Sequence, residues 1–117
     1  MVWNRLTKGA SFKPRKGLAR KYRPADSRKG LIERLDAVTS LIVRKRDKVC
    51  ITCGEARPEL LTCSHFYSRR FLNTRFDLRN CNCQCWNCNA NIHAVNVWPY
   101  TNWFLSNYST DVMAELF

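Results

Sequence analysis

Cys50-Ile51-Thr52-Cys53-Gly54 and Cys85-Trp86-Asn87-Cys88 carry two Cys-x-x-Cys pairs with 31 residues between them. Four thiolates in two close pairs match the donor set of one tetrahedral zinc ion, and Gly54 permits the tight turn after the first pair. The spacing predicts one structural zinc on Cys50, Cys53, Cys85 and Cys88. Four thiolates leave no open position, so such a zinc holds the fold and does no chemistry itself. The gap is longer than a simple zinc ribbon needs and leaves room for an inserted hairpin. Inside it lie Ser64-His65-Phe66, Arg79-Asn80-Cys81 and five arginines, and the second pair runs on into Asn89-Ala90-Asn91-Ile92-His93. The remaining thiols, Cys63, Cys81 and Cys83, read as small buried hydrophobes. Cys81 and Cys83 also lie close enough to Cys85 in sequence to exchange into the zinc shell.

A chain of 117 residues makes one small domain with a modest core, for which a metal staple is physically useful. The net charge of +11 and the pI near 9.8 point to a polyanionic partner. The charge is unevenly placed. Residues 1–30 hold ten Lys/Arg against one acid, residues 31–79 ten against six, and residues 80–117 none against two. A secreted disulfide scaffold is the competing explanation of seven cysteines, but an odd count and metal-like pairing disfavour it. Met1-Val2-Trp3-Asn4-Arg5 lacks an apolar run of targeting length. The uncharged stretch from Asn80 to Thr110 holds eight asparagines, too costly to desolvate in a bilayer. A cytoplasmic protein with reduced thiols and no membrane contact is expected.

Residues 1–30 read as a basic arm punctuated by Gly and Pro, expected to order on nucleic acid, with Lys13, Arg15 and Lys16 as phosphate contacts. A merely solubilising tail is the alternative. Residues 31–117 form the domain. Leu31 to Arg46 has helical periodicity, with Leu31, Leu35, Val38 and Leu41/Ile42 as the stripe predicted to face the core. Asp26 or Ser27 can cap its start. Leu60 to Phe66 is a strand candidate, Arg69 to Arg79 a basic loop, and Asn80 to Gln84 a second strand or extended turn. A helix should begin at Cys85 and end near His93. Asn96 to Phe117 should form one or two short helices with a break at Ser109-Thr110-Asp111. That aromatic tail either completes the core or forms a homodimer interface. The fold class is small α+β, stapled by zinc.

The string Cys-x-x-Cys, Ser64-His65-Phe66, Arg75-Phe76-Asp77-x-Arg79-Asn80, Gln84-Cys85-x-x-Cys88-Asn89 resembles the HNH (ββα-metal) nucleases. It is most similar to the NinG/Rap recombination endonucleases of lambdoid phages, over roughly residues 31–108. His65 matches the first His of the motif, Asn80 the Asn, and His93 the final His on the helix. Three positions depart from the pattern. Ser64 stands where an Asp or His often ligates metal, Asn82 where relatives often carry His, and Ile92-His93-Ala94 replaces a Lys-Ser-Gly run.

The resemblance implies a ββα-metal core with flanking helices, and a Mg²⁺- or Mn²⁺-dependent endonuclease acting on branched recombination intermediates such as Holliday junctions or D-loops. Phosphodiester hydrolysis needs an activated water, neutralised phosphoryl oxygens and help for the leaving oxygen. His65 has a suitable pKa to take the proton from water. It could instead ligate the metal, or support the zinc side structurally. His93 would hold the divalent ion, or merely cap its helix. Asn80 would orient His65 or brace the loop. Arg69, Arg70, Arg75 and Arg79 would engage phosphates, in part as a solvated face. Two other functions stay open: a non-catalytic zinc module that binds nucleic acid, and an HNH nuclease of another role, such as nicking or DNA packaging.

Overall fold

A computed structural model of the chain describes residues 27–116. The structure opens with a long helix, α1 (Arg28–Asp47), whose Ser27 side chain accepts from the Gly30 amide at 3.0 Å. Residues 28–30 of the expected arm are therefore the first turn of α1, and the rest of the arm, with Lys13, Arg15 and Lys16, lies outside the described residues. Arg44, Lys45 and Arg46 fill the last turn, where cations suit the helix dipole. Lys48 adopts the left-handed conformation (φ 64°) and returns its amide to the Arg44 carbonyl, which stops the helix.

The apolar stripe does not face the core. Leu31, Leu35, Val38, Leu41 and Ile42 are all exposed, Val38 at 54 %. The buried residues of α1 are Thr39 and Val43, about a third of a turn round the helix from the stripe, and Gly30, about a quarter turn to its other side. The reason is polar: Asp36 pairs with Arg75 and Arg46 bonds the second strand, so the charged face of α1 turns toward the sheet.

The sheet is a two-stranded antiparallel hairpin, β1 (Leu61–His65) and β2 (Cys81–Cys85), with Leu61 opposite Cys85, Cys63 opposite Cys83 and His65 opposite Cys81. Side chains alternate across a strand. One face therefore carries Leu61, Cys63, His65, Cys81, Cys83 and Cys85, and the other Thr62, Ser64, Asn82 and Gln84. The first face joins Val43 in the core. The free edge of β2 is covered by the end of α1 and the turn beyond it. The Cys83 amide donates to Asp47 at 2.8 Å, its carbonyl accepts from Ile51 N at 2.9 Å, and the Cys81 carbonyl accepts from Arg46 at 2.8 Å.

The loop between the strands contains α2 (Leu72–Arg75), a short helix within the segment read as loop. After β2 comes a wide π-helical turn, Asn87–Ile92, which continues as α3 (His93–Val95). Two helices complete the domain, α4 (Trp98–Asn107) and α5 (Thr110–Leu116), and Ser109 Oγ accepts from Val112 N at 3.3 Å at their junction. Tyr100, Phe104 and Leu116 are buried, and Phe66 stacks on Phe104 with centroids 4.4 Å apart. At these positions the tail completes the core. No helix among the described residues is long and apolar enough to cross a membrane.

Candidate metal centre and histidine groove

The cysteine pairs meet because β2 runs beside the turn that carries the first pair. That turn is closed by Gly54 N to Cys50 O at 2.9 Å and Cys50 N to Glu55 O at 2.8 Å, and Gly54 takes φ 79°, a value that favours glycine. β2 ends on Cys85, and the first turn beyond it presents Cys88. The four sulfurs lie within 4.8 Å of one another, with Cys53 and Cys85 at 3.7 Å. A tetrahedron with Zn–S bonds of about 2.3 Å has edges of about 3.8 Å, so the donor set fits a four-thiolate zinc. Further contacts suit thiolates: the Cys88 amide points at Cys85 Sγ at 3.4 Å and the Thr52 hydroxyl lies 3.3 Å from Cys50 Sγ. Burial raises the Cys50 pKa, but the Thr52 hydroxyl and nearby backbone groups outweigh it and bring it to about 6.

His65 ends β1 with its ring half-buried. Its Nε2 lies 3.0 Å from the carbonyl of Arg75, an acceptor, so Nε2 carries the hydrogen and Nδ1 the lone pair. Burial lowers the His65 pKa, against the Arg75 carbonyl and the nearby Asp36 carboxylate, which raise it. His93 opens α3, edge-on to Tyr100 with centroids 4.9 Å apart. Burial lowers its pKa too, opposed by contact with the His65 backbone. Its Nδ1 is buried without a hydrogen-bond partner, as is Ser64 Oγ. Both histidines line one open groove of about 560 Å³, together with Arg69 and Asn89.

Asn80 makes no hydrogen bond to His65. It is fully buried, accepts from Tyr67 N at 2.8 Å and donates to the carbonyls of Tyr67 (3.1 Å) and Thr74 (3.0 Å). It closes the long loop on itself and fixes the turn whose next carbonyl, that of Arg75, holds His65. The four arginines divide. Arg75 grips Asp36 with two bonds (2.8 and 2.6 Å), and Arg79 grips Asp77 and Glu115. Arg69 and Arg70 sit at the exposed surface, Arg69 on the rim of the histidine groove and Arg70 over the Phe71 ring.

Residues 5–116 match the family of the bacteriophage lambda NinG protein. The chain belongs to that family. No curated protein and no solved structure matches it. The NinG match reaches well into the basic arm, beyond the roughly 31–108 covered by the motif resemblance.

Two features of this NinG-family chain escape a reading residue by residue. Cys81 packs in the core and Cys63 against it, as small hydrophobes do, and their sulfurs and a ring nitrogen of His65 also lie within 4.8 Å of one another. The signal was available in the period-two pattern, since Cys63 and His65 share a face and the register sets Cys81 opposite His65. The two neighbouring thiols act on each other: Cys81 lowers the pKa of the Cys63 thiol, and Cys63, with burial, raises that of Cys81. The second feature is Asp36, in the middle of the helix, which fixes Arg75 and so the carbonyl that holds His65.

Proposed function

We propose that this NinG-family chain is a metal-dependent DNA endonuclease of the HNH type, with β1, β2 and the helix of residues 87–95 as its ββα unit. One observation carries the reading. A neutral histidine of fixed tautomer, His65, shares a groove with a second histidine, His93, whose buried Nδ1 has no partner.

In this mechanism Nδ1 of His65 takes a proton from the attacking water, because Nε2 is committed to Arg75. The water oxygen bonds to phosphorus, the P–O3′ bond breaks, and the leaving oxygen collects a proton from solvent. The orphaned Nδ1 of His93 would hold the divalent cation, which when bound neutralises the phosphoryl and leaving oxygens. No carboxylate lines the groove among the described residues, so the rest of the shell falls to phosphate and water. One imidazole donor favours Mn²⁺ over Mg²⁺. Asn80 positions the loop, and Arg69 and Arg70, with Lys13, Arg15 and Lys16 of the arm, contact phosphates. Arg75 and Arg79, held by carboxylates, brace the site instead.

Branched DNA as substrate rests on the resemblance and on the basic charge. Trp98, exposed at the start of α4, offers a surface for a second copy on a two-stranded cut. The absence of a carboxylate from the groove among the described residues favours the alternative of a non-catalytic DNA-binding module. Cleavage of junction and linear duplex DNA with Mn²⁺ or Mg²⁺ separates the two. Wild type should cut, and His65→Ala should lose about 10²–10⁴-fold in rate with DNA affinity intact. A wild type that leaves every substrate whole with either metal makes it a binding module.

A further inference from the structure

Two metal positions are accounted for by the four-cysteine clamp and the His93 side of the groove. A third cluster is used by neither. Cys63 Sγ, Cys81 Sγ and a ring nitrogen of His65 lie within 4.8 Å of one another on one face of the hairpin, on the side of α1.

We propose that Cys63, His65 and Cys81 form a second thiolate–imidazole site for a zinc-class divalent ion, distinct from the four-cysteine clamp. The geometry suits such an ion. Two thiolates and one imidazole on a tetrahedral ion, with bonds of about 2.3 and 2.1 Å, lie less than about 4 Å apart, so a small inward shift closes the site. The donors are soft or borderline, and select zinc-class ions over Mg²⁺. The set is pre-gathered: the cross-strand register presents Cys81 to His65, and Cys81 Sγ and His65 Nε2 both converge on the Arg75 carbonyl, at 3.2 and 3.0 Å. Access is open on two sides. Cys63 and His65 line both the histidine groove and a smaller hollow of about 250 Å³ that also holds Asp36. Three protein donors leave the fourth position to water.

A consequence rests on the proposed nuclease reading. An ion on His65 removes the base, by taking the lone pair if it binds Nδ1 or by moving the ring hydrogen onto Nδ1 if it displaces the Arg75 bond at Nε2. Zinc at this site is then an inhibitor, whereas zinc at the clamp is required for folding.

The test is metal stoichiometry of the full chain, with Co²⁺ and Zn²⁺ as the probes. Wild type titrated with Co²⁺ should take up a second equivalent with thiolate-to-cobalt absorption, removed by mild chelation before the first. Cys63→Ser should lose that equivalent and keep the first. Cys83→Ser, on the same face but outside the trio, should keep both. Wild type that saturates at one equivalent overturns the site, whatever its activity, as does a second equivalent that survives in both Cys63→Ser and His65→Ala. Retention of the first cobalt band reports that each variant is folded. Excess Zn²⁺ should slow an active wild type and lose that effect in Cys63→Ser. A chain with the second equivalent but no cleavage overturns only the nuclease reading.

Discussion

His65 donates from Nε2 to the backbone carbonyl of Arg75 at 3.0 Å, across a ten-residue loop. The bond fixes the tautomer of the ring, and the loop that supplies the carbonyl is itself tied by Asn80. Asn80→Ala removes the side-chain hydrogen bonds to Tyr67 N, Tyr67 O and Thr74 O together. Each lost hydrogen bond costs about 0.5–1.5 kcal/mol, so three bring the expected total to about 3 kcal/mol. A lower urea midpoint with an unchanged slope is the readout. Asn80→Asp keeps the acceptor for Tyr67 N, loses both donors and buries a charge, so it should be no better. A midpoint unmoved in the alanine variant removes Asn80 from its bracing role.

Both imidazoles should titrate below their ordinary value of about 6.5, because burial disfavours the charged ring more than the local acceptors favour it. The sign for stability follows. Below about pH 6.5 the unfolded chain binds protons that the folded chain refuses, so stability is intact above that pH, falls as pH drops from about 6.5 toward the lower folded values, and levels off beneath them. A base that titrates low also keeps the rate flat down to pH 6.5, with its fall below it. Imidazole chemical shifts followed from pH 8 to 5 check the first point directly. A ring of either residue that titrates above 6.5 contradicts the burial argument.

The parts of this fold that are legible in the sequence are those written in short local codes. The Cys-x-x-Cys spacing located the clamp, the Asp26-Ser27 pair the helix start, where Ser27 is the cap, and the run from Leu60 to Phe66 the first strand, which spans Leu61–His65. The orientation of α1 was not legible, and the physical reason is instructive. Periodicity identified Leu31, Leu35 and Val38 as the inner stripe, yet Asp36 and Arg46 decide which side packs, through partners 39 and 35 residues away. Long-range polar pairs leave no periodic trace. The same limit hid the division among the arginines, since nothing local distinguishes Arg75 from Arg69.

That division makes a prediction with two opposite signatures. Arg69→Ala and Arg70→Ala should leave stability within about 0.5 kcal/mol. Each that contacts a phosphate should reduce the slope of log K against log salt by about 0.9. Arg75→Ala should keep the salt slope and cost about 1 kcal/mol, a figure already lowered for solvent screening of its pair with Asp36. Filter binding at several salt concentrations, beside denaturant melts, reads both. An unchanged slope in the Arg69→Ala, Arg70→Ala double variant rejects these two as phosphate contacts.

Cys53 gives the sharpest test of the clamp because its surroundings argue the other way. It is the exposed member of the set, and by burial alone Cys53→Ser should change stability by less than about 0.5 kcal/mol. As a zinc ligand it should be indispensable. The core cluster around Val43 and Leu61 is otherwise all cysteine: Cys50, Cys81, Cys83, Cys85 and Cys88, three of them clamp ligands. Zinc binding contributes about 10–16 kcal/mol in small zinc domains, as much as the whole stability of a typical domain at about 5–15 kcal/mol. Cys53→Ser should therefore lose the tightly held metal and the cooperative thermal transition, as a strong chelator should in wild type. Cys83→Ser, buried but outside the clamp, should keep the metal and melt cooperatively at a lower temperature. If Cys53→Ser melts like wild type with its metal in place, the four-thiolate clamp is wrong.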